Sequence, residues 1–334
     1  MKTVICHKPN EMELIQTEFD NKIQDNEILI AIKKIGICGT DIHAYGGNQP
    51  FFDYPRVLGH ELSGIAEQVG NQVNQVKQGD KVAVIPYINC KECIACRNGK
   101  TNCCTQMQVL GVHRDGGMTE YIKVPAENVF AVNDLPLEKA AIIEPLSIGA
   151  HAVRRADIHE QDTVLVVGTG PIGLGVARFT KLAGAKTIVM DLSEERLSFC
   201  KEWAECDETV VAGEGAQQKL LDLNNGELPS IVLDATGNKH SMMNSFDYVS
   251  HGGKLVYVGL VKDTISFFDP DFHSKELSLL GSRNATREDF QYVIDCMAKG
   301  QIKDNYVTNH ISFDEVPAFF EASNFQTNKT LIHL

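Results

Sequence analysis

Positive charge is scarce in this chain. Lys and Arg number 31 against 44 Asp and Glu, a formal net charge of −13. Nucleic acid and anionic membranes want a basic face, so neither is an expected partner. No run of about eighteen apolar residues occurs, so nothing is expected to span a bilayer. The segment Met1 to Asn10 lacks a long apolar core, and no secretory signal is visible in it. Internal repeats and low-complexity tracts are missing. So is any long helical pattern before about residue 138. The His-x-Glu and Pro-Cys-x-x-Cys pattern of zinc deaminases is absent as well. What remains is 334 residues, 43% of them hydrophobic, enough for a sizeable core and for two domains rather than one.

Cysteine is plentiful. Ten are present, and five crowd between Cys90 and Cys104. With no signal visible, a cytoplasmic setting is expected, where clustered thiols read as metal ligands rather than disulfides. Cys90-x-x-Cys93-x-x-Cys96 with a further cysteine downstream suits a closed, tetrahedral structural zinc. Spacing alone leaves the fourth ligand open between Cys103 and Cys104. The lobe around them, about 88–106, has few apolar residues, so a metal would staple it. The spacing favours zinc over a rubredoxin-like iron.

A second, scattered set comprises Cys38, His60, Glu61 and Glu144. Thiolate, imidazole and carboxylate together leave room for an open coordination position, which a catalytic zinc needs.

The stretch Thr163 to Asp191 reads as strand, tight turn, helix, strand. Gly168-x-Gly170-x-x-Gly173 occupies the turn. Gly168 allows the sharp bend, Gly170 a close approach to a pyrophosphate, and Gly173 close packing of helix on strand. The helix start, Pro171 and Ile172, offers free N–H groups to the phosphates. Asp191 ends the second strand, where a carboxylate accepts the adenosine ribose hydroxyls and repels a 2′-phosphate. No Arg or Lys stands at 192 or 193, so NAD is expected over NADP. Further cofactor contacts are assigned to Arg196, to Thr236 at a strand end lined with small residues, and to Val258.

Residues 1–137 alternate and turn like antiparallel strands, clearest at Glu27 to Lys33, Ser63 to Val69, Lys81 to Ile85, Thr119 to Val124 and Asn128 to Val132. Leu137 to Ala152 has helical spacing and carries Glu144. His151, Arg154 and Arg155 read as surface residues. Strands and helices then alternate up to Leu277–Asn284, predicting a parallel sheet with helices on both faces. A helix capped by Thr286 and Asp289 follows and stops at Gly300. A strand and a Phe319-Phe320 helix close the chain, the two rings as core.

The motifs Gly36-Ile37-Cys38-Gly39-Thr40-Asp41-Ile42-His43 and Gly59-His60-Glu61-Leu62-Ser63-Gly64 stand in a recognisable order. The four-cysteine lobe, Gly116-Gly117-Met118-Thr119-Glu120-Tyr121, Glu144-Pro145-Leu146 and the Gly168 turn follow. Together they resemble the zinc-dependent medium-chain dehydrogenases over essentially the whole chain. The resemblance implies an α/β protein: a GroES-like, β-rich catalytic domain (1–137, completed by 283–334) around a Rossmann doubly wound parallel-sheet domain (138–282) that binds NAD. It implies Cys90, Cys93, Cys96 and Cys104 as structural zinc ligands, with Cys103 free. It places a catalytic zinc on Cys38 and His60 with Glu61 or Glu144, and makes Thr40 and His43 the two ends of a proton relay. The branch is that of polyol and threonine dehydrogenases. Tyr45 to Phe52, Cys103-Cys104 and Val109 to Gly117 look like bacterial enzymes that oxidise sugar acids such as L-galactonate or L-gulonate at carbon 5. His113 and Arg283 are substrate candidates, Arg283 because arginine clamps a carboxylate. A polyol or L-threonine dehydrogenase is the alternative; a non-catalytic zinc-binding interaction protein is the alternative of another class. A homo-oligomer, dimer or tetramer, is implied, with the apolar Leu255 to Val258 as a candidate contact.

Overall fold

The structure, a computed structural model, describes residues 1–50, 52–323, 325 and 328–334. The chain divides into two compact units, Met1–Pro145 with Thr286–Leu334, and Leu146–Ala285.

The first unit is built on the strand Glu27–Gly36, whose Ile-rich middle is buried. A run apolar on both faces belongs where neighbours cover both sides. Glu61–Val69 pairs antiparallel along one edge of it; Tyr121–Pro125 takes the first half of the other edge and Thr330–His333 the second half. The seven-stranded sheet continues outward through Lys81–Val84 and Val129–Ala131 on one side and Asn309–Ser312 on the other. The end of the chain thus completes a sheet begun near its start. Ile28, Ile30, Ile32, Ile35, Leu58, Leu62, Val124 and Phe320 form its core. Phe319 packs against the same cluster, so both rings serve the core, as expected.

The second unit is a six-stranded parallel sheet in the order Glu208–Val211, Lys186–Asp191, Thr163–Val167, Ile231–Asp234, Lys254–Tyr257, Ser278–Gly281. The first strand in sequence lies at the centre of that order, with later strands added to each side of it. That reversal opens a crevice at the carboxyl ends of the central strands, where dinucleotides bind in sheets of this order. The helix Pro171–Leu182 follows directly on the Gly168–Gly170 turn. It lies so close to the helix Ile143–Ala156 that a Cβ on Gly149 would stand 2.7 Å from the Gly175 carbonyl carbon.

Three expectations are corrected. Leu137 to Ala152 is not one helix: it breaks at Ile142 into Leu137–Ala141 and Ile143–Ala156. Pro145 has no N–H for the Ala141 carbonyl and its ring crowds that group, so the ladder cannot continue. Within Leu255 to Val258, the apolar Leu255 and Val256 offer no surface for assembly. Leu255 and Val256 are fully buried and their strand lies inside the sheet, while Ser278–Gly281 forms its edge. His151 is buried rather than on the surface, with Arg154 Nη2 3.4 Å from its Nδ1.

Candidate active site

Cys38, His60 and Glu61 offer ligand atoms within 4.8 Å of one another in the first unit. Local structure explains how they converge. Cys38 leaves the central strand and caps the helix Gly39–Tyr45. Its N–H donates to Asp41 Oδ2 at 2.9 Å, and Gly59 N–H donates to Asp41 Oδ1 at 3.2 Å. One buried carboxylate therefore ties the Cys38 turn to the His60 segment. Gly59 sits at φ 92°, where a side chain is strained, and a Cβ on Gly116 would stand 2.3 Å from the Gly59 carbonyl oxygen. The Gly116-Gly117 turn needs its glycines because it packs on the His60 segment. Gly36 is likewise required: a Cβ there would stand 1.8 Å from Glu61 Oε2.

The electrostatics suit a divalent cation. Asp41, His60, Glu61 and Glu144 are all buried. Burial pulls the His60 imidazole down, but Asp41, with Oδ1 3.7 Å from Nδ1, and Cys38 outweigh it and raise it well above its usual value. His60 Nδ1 is itself buried without a hydrogen-bond partner. Burial and the neighbouring Glu61 push the Glu144 carboxyl up to about 7, against the opposing pull of His60, Tyr87 and Lys329. Tyr87 donates its hydroxyl to Glu144 Oε1. A set rich in thiol and carboxyl, with Lys329 as its buried ammonium, matches the donors zinc takes. Thr40 and His43 lie on the helix that Cys38 caps, three residues apart and so on one face. Thr40 is half-buried and His43 exposed.

Cys90, Cys93, Cys96 and Cys104 also converge within 4.8 Å. The Cys93–Cys96 and Cys90–Cys104 sulfur separations are 3.5 and 3.4 Å, close to the roughly 3.8 Å edge of a tetrahedral zinc–thiolate site. Backbone N–H groups of Cys90, Cys93 and Gln106 donate to these sulfurs, as thiolates favour. The helix of this lobe, Ile94–Arg97, buries no residue, and Ile94 is 65% exposed. With so little core, the lobe needs a staple. Cys103 is exposed and outside the group. A third grouping, Glu138, His310 and His333, already holds a cation: Lys34 Nζ lies 2.5 Å from His333 Nδ1 and 3.4 Å from Glu138 Oε1.

In the second unit the glycine turn has the shape of a phosphate cradle. Gly168 has φ 88°, and a Cβ on Gly173 would stand 1.8 Å from the Gly168 oxygen. A Cβ on Gly170 would meet nothing within 4 Å, so the space above it is open. Gly170 caps the helix and Pro171 begins it, leaving the first N–H groups free of a side-chain cap. Asp191 Oδ2 accepts from Thr169 N–H at 2.7 Å and Thr169 Oγ1 at 2.9 Å; Oδ1 accepts from Ser193 N–H at 3.0 Å. Arg196 is exposed, its N–H on the Ser193 cap. Thr236 donates twice to Asp234 Oδ1, and Val258 N–H donates to the Asp234 carbonyl.

The other candidates are placed as follows. His113 Nδ1 accepts from Val109 N–H at 3.1 Å within its own turn. Arg283 is exposed just past the edge strand. Tyr45 is buried against Phe320, and Phe52 packs edge-on against Tyr54, so both serve local packing. Phe51 of that stretch lies outside the described residues. Sequence reasoning missed Tyr87, Lys329 and the roles of Asp41 and Asp234. Asp41 had a signal: its spacing of three from Cys38 is that of a helix capping box. Asp234 ends an apolar strand in a crevice-lining position, accepting from Thr236, Ser241 and Ser245. Tyr87 and Lys329 had none.

Comparison with known proteins shows the family of the chain. Residues 24–134 match the alcohol dehydrogenase GroES-like domain, and residues 171–299 the zinc-binding dehydrogenase domain. The chain is 47% identical over 310 residues to L-galactonate-5-dehydrogenase of Escherichia coli K12, covering 93% of this chain and 91% of that protein. It is 35% identical to sorbitol dehydrogenase of Bacillus subtilis 168, over 78% of this chain and 75% of that protein. Among solved structures, a short chain alcohol dehydrogenase of Escherichia coli CFT073, complexed with NADH, superposes with a TM-score of 0.92 at 32% identity. That match covers 100% of this chain and 99% of the other.

Proposed function

Because the chain belongs to the zinc-dependent medium-chain dehydrogenases, in their polyol dehydrogenase branch, we propose that it oxidises a secondary alcohol of a sugar acid to the keto acid with NAD. The substrate we name is L-galactonate or L-gulonate, oxidised at carbon 5. One observation carries this choice: the 47% identity to L-galactonate-5-dehydrogenase spans nearly the whole of both chains. A polyol such as sorbitol is the second reading, supported by the lower similarity to sorbitol dehydrogenase.

We assign both zinc sites and the catalytic role to the unit made from the two ends of the chain, and NAD binding to the central unit. Cys38, His60, Glu61 and Glu144 would hold a catalytic zinc; Cys90, Cys93, Cys96 and Cys104 would hold a structural one. When bound, zinc supplies a Lewis acid for the substrate hydroxyl and NAD an acceptor for hydride. The protein then has two tasks. Asp41 holds the Cys38 turn and the His60 segment in register, so their donors stay aligned. The Thr40 hydroxyl would begin a proton relay, accepting the proton of the substrate hydroxyl as it gives its own to the nicotinamide ribose, and His43, one helical turn on and exposed, would pass the proton to solvent. Gly168, Gly170, Pro171, Ile172 and Gly173 would cradle the pyrophosphate. Asp191, Arg196, Thr236 and Val258 would line the rest of the cofactor site. Arg283 and His113 are our candidates for substrate contacts. We place the reaction in the cytoplasm, where thiols stay reduced, and expect a homo-oligomer.

The test is initial-rate NADH formation on L-galactonate, L-gulonate, D-sorbitol, xylitol and L-threonine, each with NAD and with NADP. A dominant kcat/KM for one sugar acid with NAD supports the proposal. Dominance of an uncharged polyol or of threonine would replace the substrate and keep the chemistry. NAD binding without turnover of any alcohol would sink the enzymatic reading.

A further inference from the structure

Lys329 is buried, its side chain 2% exposed, beside the fully buried Glu61. Its ammonium has three hydrogens and meets three acceptors: Glu61 Oε1 at 2.6 Å, Glu61 Oε2 at 2.8 Å and the Ile37 carbonyl at 3.0 Å. No hydrogen is left over. The residue comes from the C-terminal return: Thr308 and Asn309 N–H groups hold its carbonyl, and Ile37 N–H donates to the Thr330 carbonyl. The ammonium therefore joins the residue before Cys38 to the residue after His60, from a segment some 270 positions away.

We propose that Lys329 is a positioning residue for the metal: it competes with the bound ion for the Glu61 carboxylate and keeps Glu61 an exchangeable ligand. The inference rests on the zinc reading above and deepens it. Its basis is charge and geometry. Glu61 is within ligand distance of Cys38 and His60, yet both its oxygens already carry short ammonium hydrogen bonds. Glu144 is held differently, on one oxygen by the neutral Tyr87 hydroxyl. A carboxylate shared between ammonium and metal gives less charge to the metal than a free one. Full donation from Cys38, Glu61 and Glu144 would blunt the Lewis acidity that the substrate hydroxyl needs. Lys329 would take up part of that donation and, bonded also to the Ile37 carbonyl, would stay in place were Glu61 to leave a bound metal. Glu61 can then move without becoming an unpaired buried charge.

The experiment compares the wild type with Lys329→Met, Lys329→Arg and the double variant Lys329→Met/Glu61→Gln. The double variant removes both charges together and so avoids an unpaired buried carboxylate. Two readouts are used on purified protein: the rate of zinc loss to excess chelator, and the visible spectrum after cobalt replaces the exchangeable zinc. With Lys329 gone, Glu61 binds the metal fully. Zinc loss from Lys329→Met is then expected to slow by about tenfold, with a cobalt spectrum of higher coordination. Lys329→Arg should restore wild-type behaviour, because it returns a charged donor. Zinc loss from the double variant should be faster than wild type by about tenfold, with a spectrum missing one ligand. A folded double variant whose spectrum and zinc-loss rate match the wild type overturns the proposal, since Glu61 would then not reach the metal; this holds even if Lys329→Met fails to fold. Equal zinc-loss rates in Lys329→Met and wild type overturn it as well. A wild type that binds zinc at the cysteine lobe alone fails earlier, at the functional reading itself.

Discussion

Asp191 is engaged by its own chain on both oxygens, by Thr169 on one and Ser193 on the other. Each carboxylate oxygen has two lone-pair directions, so ribose hydroxyls can still be accepted while the chain holds the group still. Beside the cofactor choice proposed for it, the carboxylate shapes the glycine turn through Thr169. Asp191→Ala is expected to raise the KM for NAD at least tenfold and to lower the NAD-over-NADP ratio of kcat/KM by roughly tenfold or more. Steady-state kinetics with both cofactors checks it; an unchanged ratio would remove Asp191 from cofactor selection. At this scale much was legible, because residue type and spacing announce metal donors and phosphate cradles. Lys329 was not. A lone lysine near a chain end carries no local mark of burial, and only the sheet that returns it beside Glu61 gives it a role.

Strand and helix positions follow local chemistry closely. The strand Lys81–Val84 falls where Lys81 to Ile85 was read as one, and the helix Arg287–Ala298 has the Thr286/Asp289 capping box read from spacing. The Leu137 helix was over-extended because apolar periodicity outvoted Pro145, whose missing N–H breaks the ladder four residues earlier. Between elements, Asp207 joins the strand Lys186–Asp191 to the helix Pro171–Leu182. It accepts from Thr187 N–H at 2.7 Å and from Lys181 at 2.9 Å. Partial burial raises its pKa, but Thr187 and Lys181 outweigh it and the net shift is downward. A carboxyl with a lowered native pKa stabilises above its unfolded value of about 3.9 and loses that contribution as pH falls through the native value. Lys181 and Asp207 are partly exposed, so the pair is worth no more than about 1 kcal/mol. Asp207→Asn should lower the melting temperature by about 2 °C at pH 7, and the gap should close on acidification below about pH 4. A gap independent of pH would assign the effect to packing instead.

For the whole molecule, the edge of the parallel sheet is the feature that calls for a cover. Ser278–Gly281 ends it, with Leu279 38% exposed, and exposed Leu260, Phe267 and Phe268 precede it in sequence. An edge of this kind is a template for another strand, and in the homo-oligomer proposed above a second copy would satisfy it by two-fold symmetry. Leu279→Lys should shift the protein to a smaller species in light scattering coupled to size exclusion, with the NAD site left intact. An unchanged mass would remove this edge as an interface. The candidate named from sequence, Leu255 to Val258, failed because apolar character cannot separate a strand covered by its own chain from one covered by a partner. Its neighbours on both sides are strands of the same sheet.

By itself the sequence determined the chemistry available: thiols at metal spacing, a glycine turn between strand and helix, an acidic residue ending the next strand. These are local patterns, set by steric and ligand geometry within a few residues, and they survive translation into three dimensions. Tertiary structure decided which groups share a site and how their charges balance. Asp41 spans the Cys38 and His60 segments, Tyr87 meets Glu144, and Lys329 meets Glu61 across 268 residues of chain. Those pairings depend on strand register and burial. A buried charge is stable only beside its partner, and that condition is written in the fold as a whole rather than in any one stretch.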